Sequence, residues 1–264
     1  MSIDNELPPA KGLTECGALI VGGTAGIGLA TARGLAEAGV PRIVIVGRNS
    51  ERGQQAAGGL RSLGPDVHFL AGDATDASSA LTVAAEADKL LGGIDILMCT
   101  TAADVRPELF KDIPITDISR ILTELATPSM HMASAVLPGM RSRRGGIIVN
   151  VASDAAKTAT PGEAMIGAAK AAIVMFTRTI AIEEKRHGIR ANALTPSLVH
   201  GTASTERITT DGFSAKLFAS AAKQAALGVP DADDIAALAV FVCSPAAARL
   251  TGQAISVNGG ISAA

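Results

Sequence analysis

The chain has 264 residues, 48% hydrophobic and 18% charged, with a net charge of −2. These figures suit one core-rich α/β domain and exclude a disordered chain. No basic run suits nucleic acid or anionic lipid, and no apolar run is expected to reach the ~18 residues of a membrane span.

The opening segment MSIDNELPPAK is acidic and polar, unlike a signal peptide. The first apolar run, ALIVGG (18–23), leads into Gly22-Gly23-Thr24-Ala25-Gly26-Ile27-Gly28 and a helical stretch over 27–39. A strand, a glycine-rich turn and a helix in that order predict a dinucleotide site. Gly22 permits the turn, Gly26 lets the backbone approach a pyrophosphate at the helix N-terminus, and Gly28 lets helix and strand pack closely. The second run, RIVIVG (42–47), ends in Gly47-Arg48-Asn49. Sites that prefer NAD hold an acid there for the ribose 2′-hydroxyl. Gly47 removes the acid and Arg48 offers donors for a 2′-phosphate, so NADP is expected over NAD.

Further runs follow at 67–72, 94–99, 146–153, 190–196 and 254–260, with helical stretches at 78–93 and 168–188. The runs are short and mostly rich in β-branched residues, as strands buried on both faces are. Strands alternating with helices predict one doubly wound, Rossmann-type parallel sheet covered on both faces, with ligands at the strands' carboxyl ends. The cluster Arg141, Arg143 and Arg144 is expected to end a helix. Residues 197–229 interrupt the rhythm and are read as a lid over the strand ends. Cys16, Cys99 and Cys243 form no CxxC and predict buried thiols in a reducing cytoplasm.

The motifs GGTAGIG (22–28), VGRN (46–49), GDATD (72–76), IVNVAS (148–153), GAAKAAI (167–173), GIRANALTPS (188–197) and LTGQAISVNGG (250–260) occur in one order. In this, over roughly residues 11–262, the chain resembles the FabG-like branch of the short-chain dehydrogenases/reductases. The resemblance implies a nicotinamide cofactor, a small-molecule substrate and, commonly, a homotetramer. It places Thr24, Ile27, Asn49, Asp73, Ala74, Thr100, Lys170, Pro196 and Thr202 at the cofactor, and Ser153 where the family orients its substrate. Thr101 is expected to line the cofactor as well.

The chain departs from the family at the reacting centre. It contains no tyrosine, and Ile166 stands where the family keeps its acid/base phenol, four residues before Lys170. The family's asparagine on the preceding helix maps near Glu124 or Leu125. Candidates for a relocated acid are His200, which follows the Pro196 turn, Glu163, one helical turn before Ile166, and Asp154, beside Ser153. Glu163 equally suits a helix N-terminus, Asp154 a turn cap and His200 an exposed loop. His68 and His187 read as structural, and His131 as a core or interface histidine. Ser153 and Lys170 can still hold an oxyanion. The expected activity is therefore NADP(H)-dependent reduction or oxidation of a small, largely apolar carbonyl, alcohol or conjugated enone. A silent NADP-binding subunit, or a dehydratase or isomerase on the same fold, is the alternative.

Overall fold

The computed structural model describes residues 8–202, 205–206 and 212–264. The start of the opening polar segment (1–7) and parts of the expected lid (203–204 and 207–211) lie outside the described residues.

Seven strands form one parallel sheet in the order β3-β2-β1-β4-β5-β6-β7. They are β1 (Gly17–Val21), β2 (Arg42–Gly47), β3 (Asp66–Ala71), β4 (Ile96–Cys99), β5 (Gly146–Val151), β6 (Ile189–Leu194) and β7 (Ala254–Ile255). The helices are α1 (Gly26–Glu37), α2 (Ser50–Arg61), α3 (Ala77–Leu91), α4 (Ile118–Arg143), α5 (Ala164–Glu184), α6 (Gly212–Gln224) and α7 (Ala232–Cys243).

Side chains alternate across the strands, so each strand feeds two cores. Leu19, Val21, Val44 and Leu97 pack with residues of α3, α4 and α5. Ala18, Ile20, Ile43 and Ile96 pack with residues of α1, α2 and α7. Strand order reverses at β1, which pairs with β2 on one side and β4 on the other. Crossovers leave opposite faces of the sheet from that point, which opens a crevice at the strands' carboxyl ends. The Rossmann-type expectation therefore holds.

Several boundaries shift for local reasons. α1 stops before Gly39, whose φ of +90° does not continue a helix. β7 keeps only Ala254–Ile255, and the chain then turns through Gly259 and Gly260, both at positive φ. The arginine cluster does end α4: Arg144 adopts the left-handed cap, and Arg141 pairs with Glu184 of α5. All three cysteines are buried and unpaired.

One expectation needs correcting. Ala164–His187 is long and apolar enough, by length and composition, to cross a bilayer. Here it is a flanking helix of the core: Ala169, Ile173, Val174, Ile180 and Ala181 are buried, and so are Lys170 and Glu184.

Candidate active site

One cavity of about 1340 Å³ runs along the carboxyl ends of the strands. The half expected to hold the nucleotide begins at the turn between β1 and α1. Gly22 has φ +83°, and a Cβ there would lie 2.6 Å from Thr100 Oγ1. A Cβ on Gly28 would lie 2.3 Å from the Gly22 carbonyl oxygen. Only glycine fits either position, because backbone must pass backbone. Thr100 closes the turn from below, donating through both N (2.8 Å) and Oγ1 (2.9 Å) to the Val21 carbonyl.

Ala25 caps α1 and provides no side-chain acceptor, so the first-turn N–H groups are left without a side-chain cap. Gly22, Thr24, Ala25, Gly26 and Ile27 all line the cavity. An uncapped helix N-terminus beside a side-chain-free backbone suits a pyrophosphate.

At the end of β2, a Cβ on Gly47 would lie 2.7 Å from Thr24 Cγ2, and Thr24 is buried. No carboxylate can be mounted there unless Thr24 moves. Arg48 and Arg52 line this end of the cavity, and Arg48 Nη1 stands 3.9 Å from Asp73 Oδ2. The Asp73 carboxyl titrates below its ordinary value. Burial pushes it up, but hydrogen bonds from Thr75 N (2.9 Å) and Oγ1 (2.8 Å) and the nearby Arg48 outweigh burial. Ala74, buried, also lines the cavity, and its carbonyl meets His131 Nδ1 at 3.0 Å. Asn49 does not line it. Its side chain accepts from Arg52 N at 2.8 Å, capping α2, so it positions Arg52 rather than facing the cleft.

The half expected to hold the reacting centre lies between β5 and α5. Ser153 follows β5, and its Oγ accepts from Ala155 N at 3.2 Å, which leaves the hydroxyl proton free to be donated into the cavity. Lys170 lies in the second turn of α5, 8% exposed, with Nζ 3.4 Å from the Val151 carbonyl oxygen. Burial lowers its pKa from 10.5 to about 8. Pro196 also lines the cavity, and its carbonyl accepts from Asp154 N at 2.8 Å. Thr202, buried, faces Gly26 and donates to Val199 O.

Ile166 and Leu125 line the same half and pack with Ala152, Met165 and Ala169. Ile166 and Leu125 therefore give this half an apolar stretch of wall, and Glu124 lines the cavity beside them. Glu124 is occupied with Arg120, 3.2 Å away.

His200 stands apart from this group, which corrects its reading as an acid/base. It is exposed, its N–H donates to the Pro230 carbonyl at 2.8 Å, and it bridges to Asp231, outside the cavity lining. Of the other candidates, Asp154 is buried and accepts from Ser262 Oγ at 2.6 Å, and Glu163 is half-buried on the cavity wall. α6 lays Leu217, Phe218 and Ala221 along the same cavity. Sequence reasoning missed Arg52 and Ser262. Arg52 lies in the first turn of α2 whereas Arg48 precedes the cap residue Asn49, so the turn between β2 and α2, not helical spacing, brings both to the cavity. Ser262 arrives by long-range folding of the C-terminal turn and carries no sequence signal.

The profile of the family described as short chain dehydrogenase matches residues 17–212. The chain is a member of the short-chain dehydrogenase family. It is 33% identical over 244 residues to the 3-oxoacyl-[acyl-carrier-protein] reductase FabG of Vibrio harveyi, covering 92% of this chain and 96% of that protein. It is 30% identical to a 7alpha-hydroxysteroid dehydrogenase of Bacteroides fragilis, covering 92% and 93%. Among solved structures, a 7α-hydroxysteroid dehydrogenase in complex with NADH and 7-oxoglycochenodeoxycholic acid superposes with a TM-score of 0.85 at 26% identity, covering 98% of both chains. Levodione reductase superposes with a TM-score of 0.87 at 23% identity, covering 93% of this chain and 97% of that one, a likeness of fold. Short-chain dehydrogenases are oxidoreductases that use nicotinamide dinucleotides, and the uncapped, side-chain-free cradle described above fits that group.

Proposed function

We propose that this short-chain dehydrogenase is an NADP(H)-dependent oxidoreductase acting on a small, largely apolar carbonyl or conjugated enone. The cofactor preference rests on one observation above others. The end of β2 has no space for an acid at Gly47 and instead presents Arg48 and Arg52 to the cavity. Guanidinium forks bind a 2′-phosphate strongly, and no carboxylate at Gly47 repels it.

A bound nicotinamide supplies or accepts the hydride. The protein's task is then to hold the charge that develops on the substrate oxygen. Ser153 donates its hydroxyl proton as a hydrogen bond to that oxygen. Lys170, charged below about pH 8, adds positive potential from a buried position. The wall of Ile166 and Leu125 accepts the apolar body of the substrate. With no phenol at position 166, the arrangement suits a conjugated enone, whose reduction spreads charge over an enolate instead of an alkoxide. The steroid ligand of the related 7α-hydroxysteroid dehydrogenase supports an alicyclic substrate.

α6, which lays Phe218 over the cleft, supports a lid function for the 197–229 segment. Met175 and Ile182, large, exposed and seven residues apart on one face of α5, support a homo-oligomer built on that face. Three buried free thiols support a reducing, cytoplasmic setting.

The test is to follow nicotinamide absorbance with purified protein and a panel of cyclic and open-chain ketones and enones. Consumption of NADPH, faster with enones than with ketones and faster than NADH, is the expected result. An enzyme that binds NADPH and turns over no member of the panel contradicts this function.

A further inference from the structure

The oxidoreductase reading leaves a proton unassigned, and the structure assigns it to a side chain on the same helix as the missing phenol. We propose that the Glu163 carboxyl is the proton donor in reduction and the proton acceptor in oxidation, one helical turn before Ile166. The proposal rests on the oxidoreductase reading above.

Three observations carry it. First, Glu163, Ile166 and Lys170 follow an i, i+3, i+7 pattern at the start of α5, and all three line the cavity that Ser153 also lines. Glu163 therefore shares one stripe of the helix with the two positions that define the reacting centre.

Second, Glu163 is not spent on the fold. It sits at the N-cap of α5 but makes no side-chain cap bond. Its backbone holds the turn: Glu163 N donates to Thr160 O at 3.0 Å, and its carbonyl accepts from Gly167 N. Among the described residues its carboxyl has no ion-pair partner, and the Thr160 hydroxyl near it donates to the Thr158 carbonyl at 3.2 Å. Glu124, by contrast, is paired with Arg120.

Third, the surrounding wall contains an unmet polar group. Thr158 Oγ1 is buried with no hydrogen-bond partner among the described residues, and Thr158 lines the cavity beside Thr160 and Glu163. A buried hydroxyl left without a partner is costly unless a ligand or water meets it. Its position extends the polar rim from Asp154 to Glu163.

The electrostatic setting agrees. Burial is the main cause that raises the Glu163 pKa from 4.5 to about 7; the negative Asp154 raises it further, and the neighbouring Thr160 hydroxyl works against both. Asp154, which follows β5, is the charged group whose field reaches the carboxyl from the elements packed against it; Lys170, on the same helix, lies two turns away. A group that titrates near neutrality is present in both forms at the working pH, as a general acid and base must be.

The step balances as follows. In reduction the hydride brings both electrons to the substrate carbon, so the cofactor is oxidised and the substrate reduced. The O–H bond of the Glu163 acid breaks, its electron pair stays on the carboxylate, and the proton goes to the carbonyl oxygen of a ketone or the α-carbon of an enolate. Solvent then reprotonates Glu163. Oxidation reverses each transfer.

The test is the pH profile of NADPH-dependent reduction by the whole protein, with Glu163→Gln and Glu163→Ala, beside NADPH affinity by fluorescence. Wild-type kcat is expected to fall as pH rises through about 7, the value at which burial places this carboxyl. Glu163→Gln should lose roughly 10²–10³ in kcat, lose the break in the profile, and bind NADPH as wild type does. Added formate, a proton acceptor at this pH, should restore part of the activity of Glu163→Ala in the oxidation direction. Should the glutamine variant fail to fold, isotope-edited infrared titration of the wild-type carboxyls decides. A carboxyl midpoint near 7 supports the proposal, and midpoints all below about 5 overturn it. Glu163→Gln that keeps the wild-type kcat and pH break overturns this assignment and leaves the oxidoreductase reading intact. A wild-type protein that turns over nothing overturns both.

Discussion

The two halves of the cleft are built from different materials. The nucleotide half is made of backbone: a helix N-terminus without a side-chain cap, and glycines whose missing Cβ atoms would otherwise strike the Gly22 carbonyl or Thr100. The reacting half is made of side chains from α4, α5 and the α5 cap, namely Leu125, Ile166, Lys170 and Glu163. A backbone cradle tolerates one residue type per position. A side-chain wall can exchange a phenol for an isoleucine while the helix beneath is unchanged. Binding and chemistry can therefore diverge within one cavity.

The strongest way to break this contrast is Gly28→Ala. Its Cβ would lie 2.3 Å from the Gly22 oxygen, so the turn must shift. Dinucleotide affinity is expected to fall more than ~100-fold, with a stability loss of about 1–3 kcal/mol, read by calorimetric titration and thermal melting. Unchanged affinity would show that the turn is not the cradle. Next is Ser153→Ala, which should cost roughly 10²–10³ in kcat with NADPH affinity unchanged. A smaller loss would move the oxyanion contact to another donor.

Arg48→Ala probes the nucleotide half at its exposed edge. Removing a charge-assisted contact of about 1.5–3 kcal/mol should weaken NADPH by ~10–100-fold and leave NADH nearly unaffected. Equal losses for both cofactors would remove the arginine from 2′-phosphate recognition.

Lys170→Met sharpens the contrast from the other side, because it should separate stability from function. The folded-state pKa of Lys170 is depressed from 10.5 to about 8. Folding is therefore favoured by the neutral form: that stability is complete above the unfolded pKa and is lost as pH falls through about 8. At neutral pH the buried ammonium is a penalty. Replacing it with methionine should stabilise the ligand-free protein by roughly 2 kcal/mol at pH 7, and the gain should vanish above about pH 10.5. Activity should drop in the same variant. Denaturant unfolding at pH 7 and pH 10 measures the first effect, and a gain that does not change with pH would contradict it.

The same division explains what could be read from the sequence. The strands were legible because both faces of a parallel sheet are buried, so runs such as RIVIVG stand out. The glycine turn was legible because sterics restrict it to one residue type. The role of His200 was not: its nearness to Pro196 in sequence says nothing about direction, and the local chain pairs its backbone with Pro230 and Asp231. The sequence shows that Gly47 is not an acid, but the close approach of Thr24 to that position is visible only in the packing. Glu163 was visible as a candidate from helical spacing. What distinguishes it from an ordinary N-terminal carboxylate is burial on the cavity wall and the field of Asp154, both set by the fold.

The central claim is that the turn between β1 and α1 holds a nicotinamide dinucleotide bearing a 2′-phosphate. Calorimetric titration of the purified protein with NADPH and with NADH tests it most directly. The account predicts one site per chain that binds NADPH at least tenfold more tightly than NADH. Heat changes indistinguishable from dilution with both dinucleotides would contradict it.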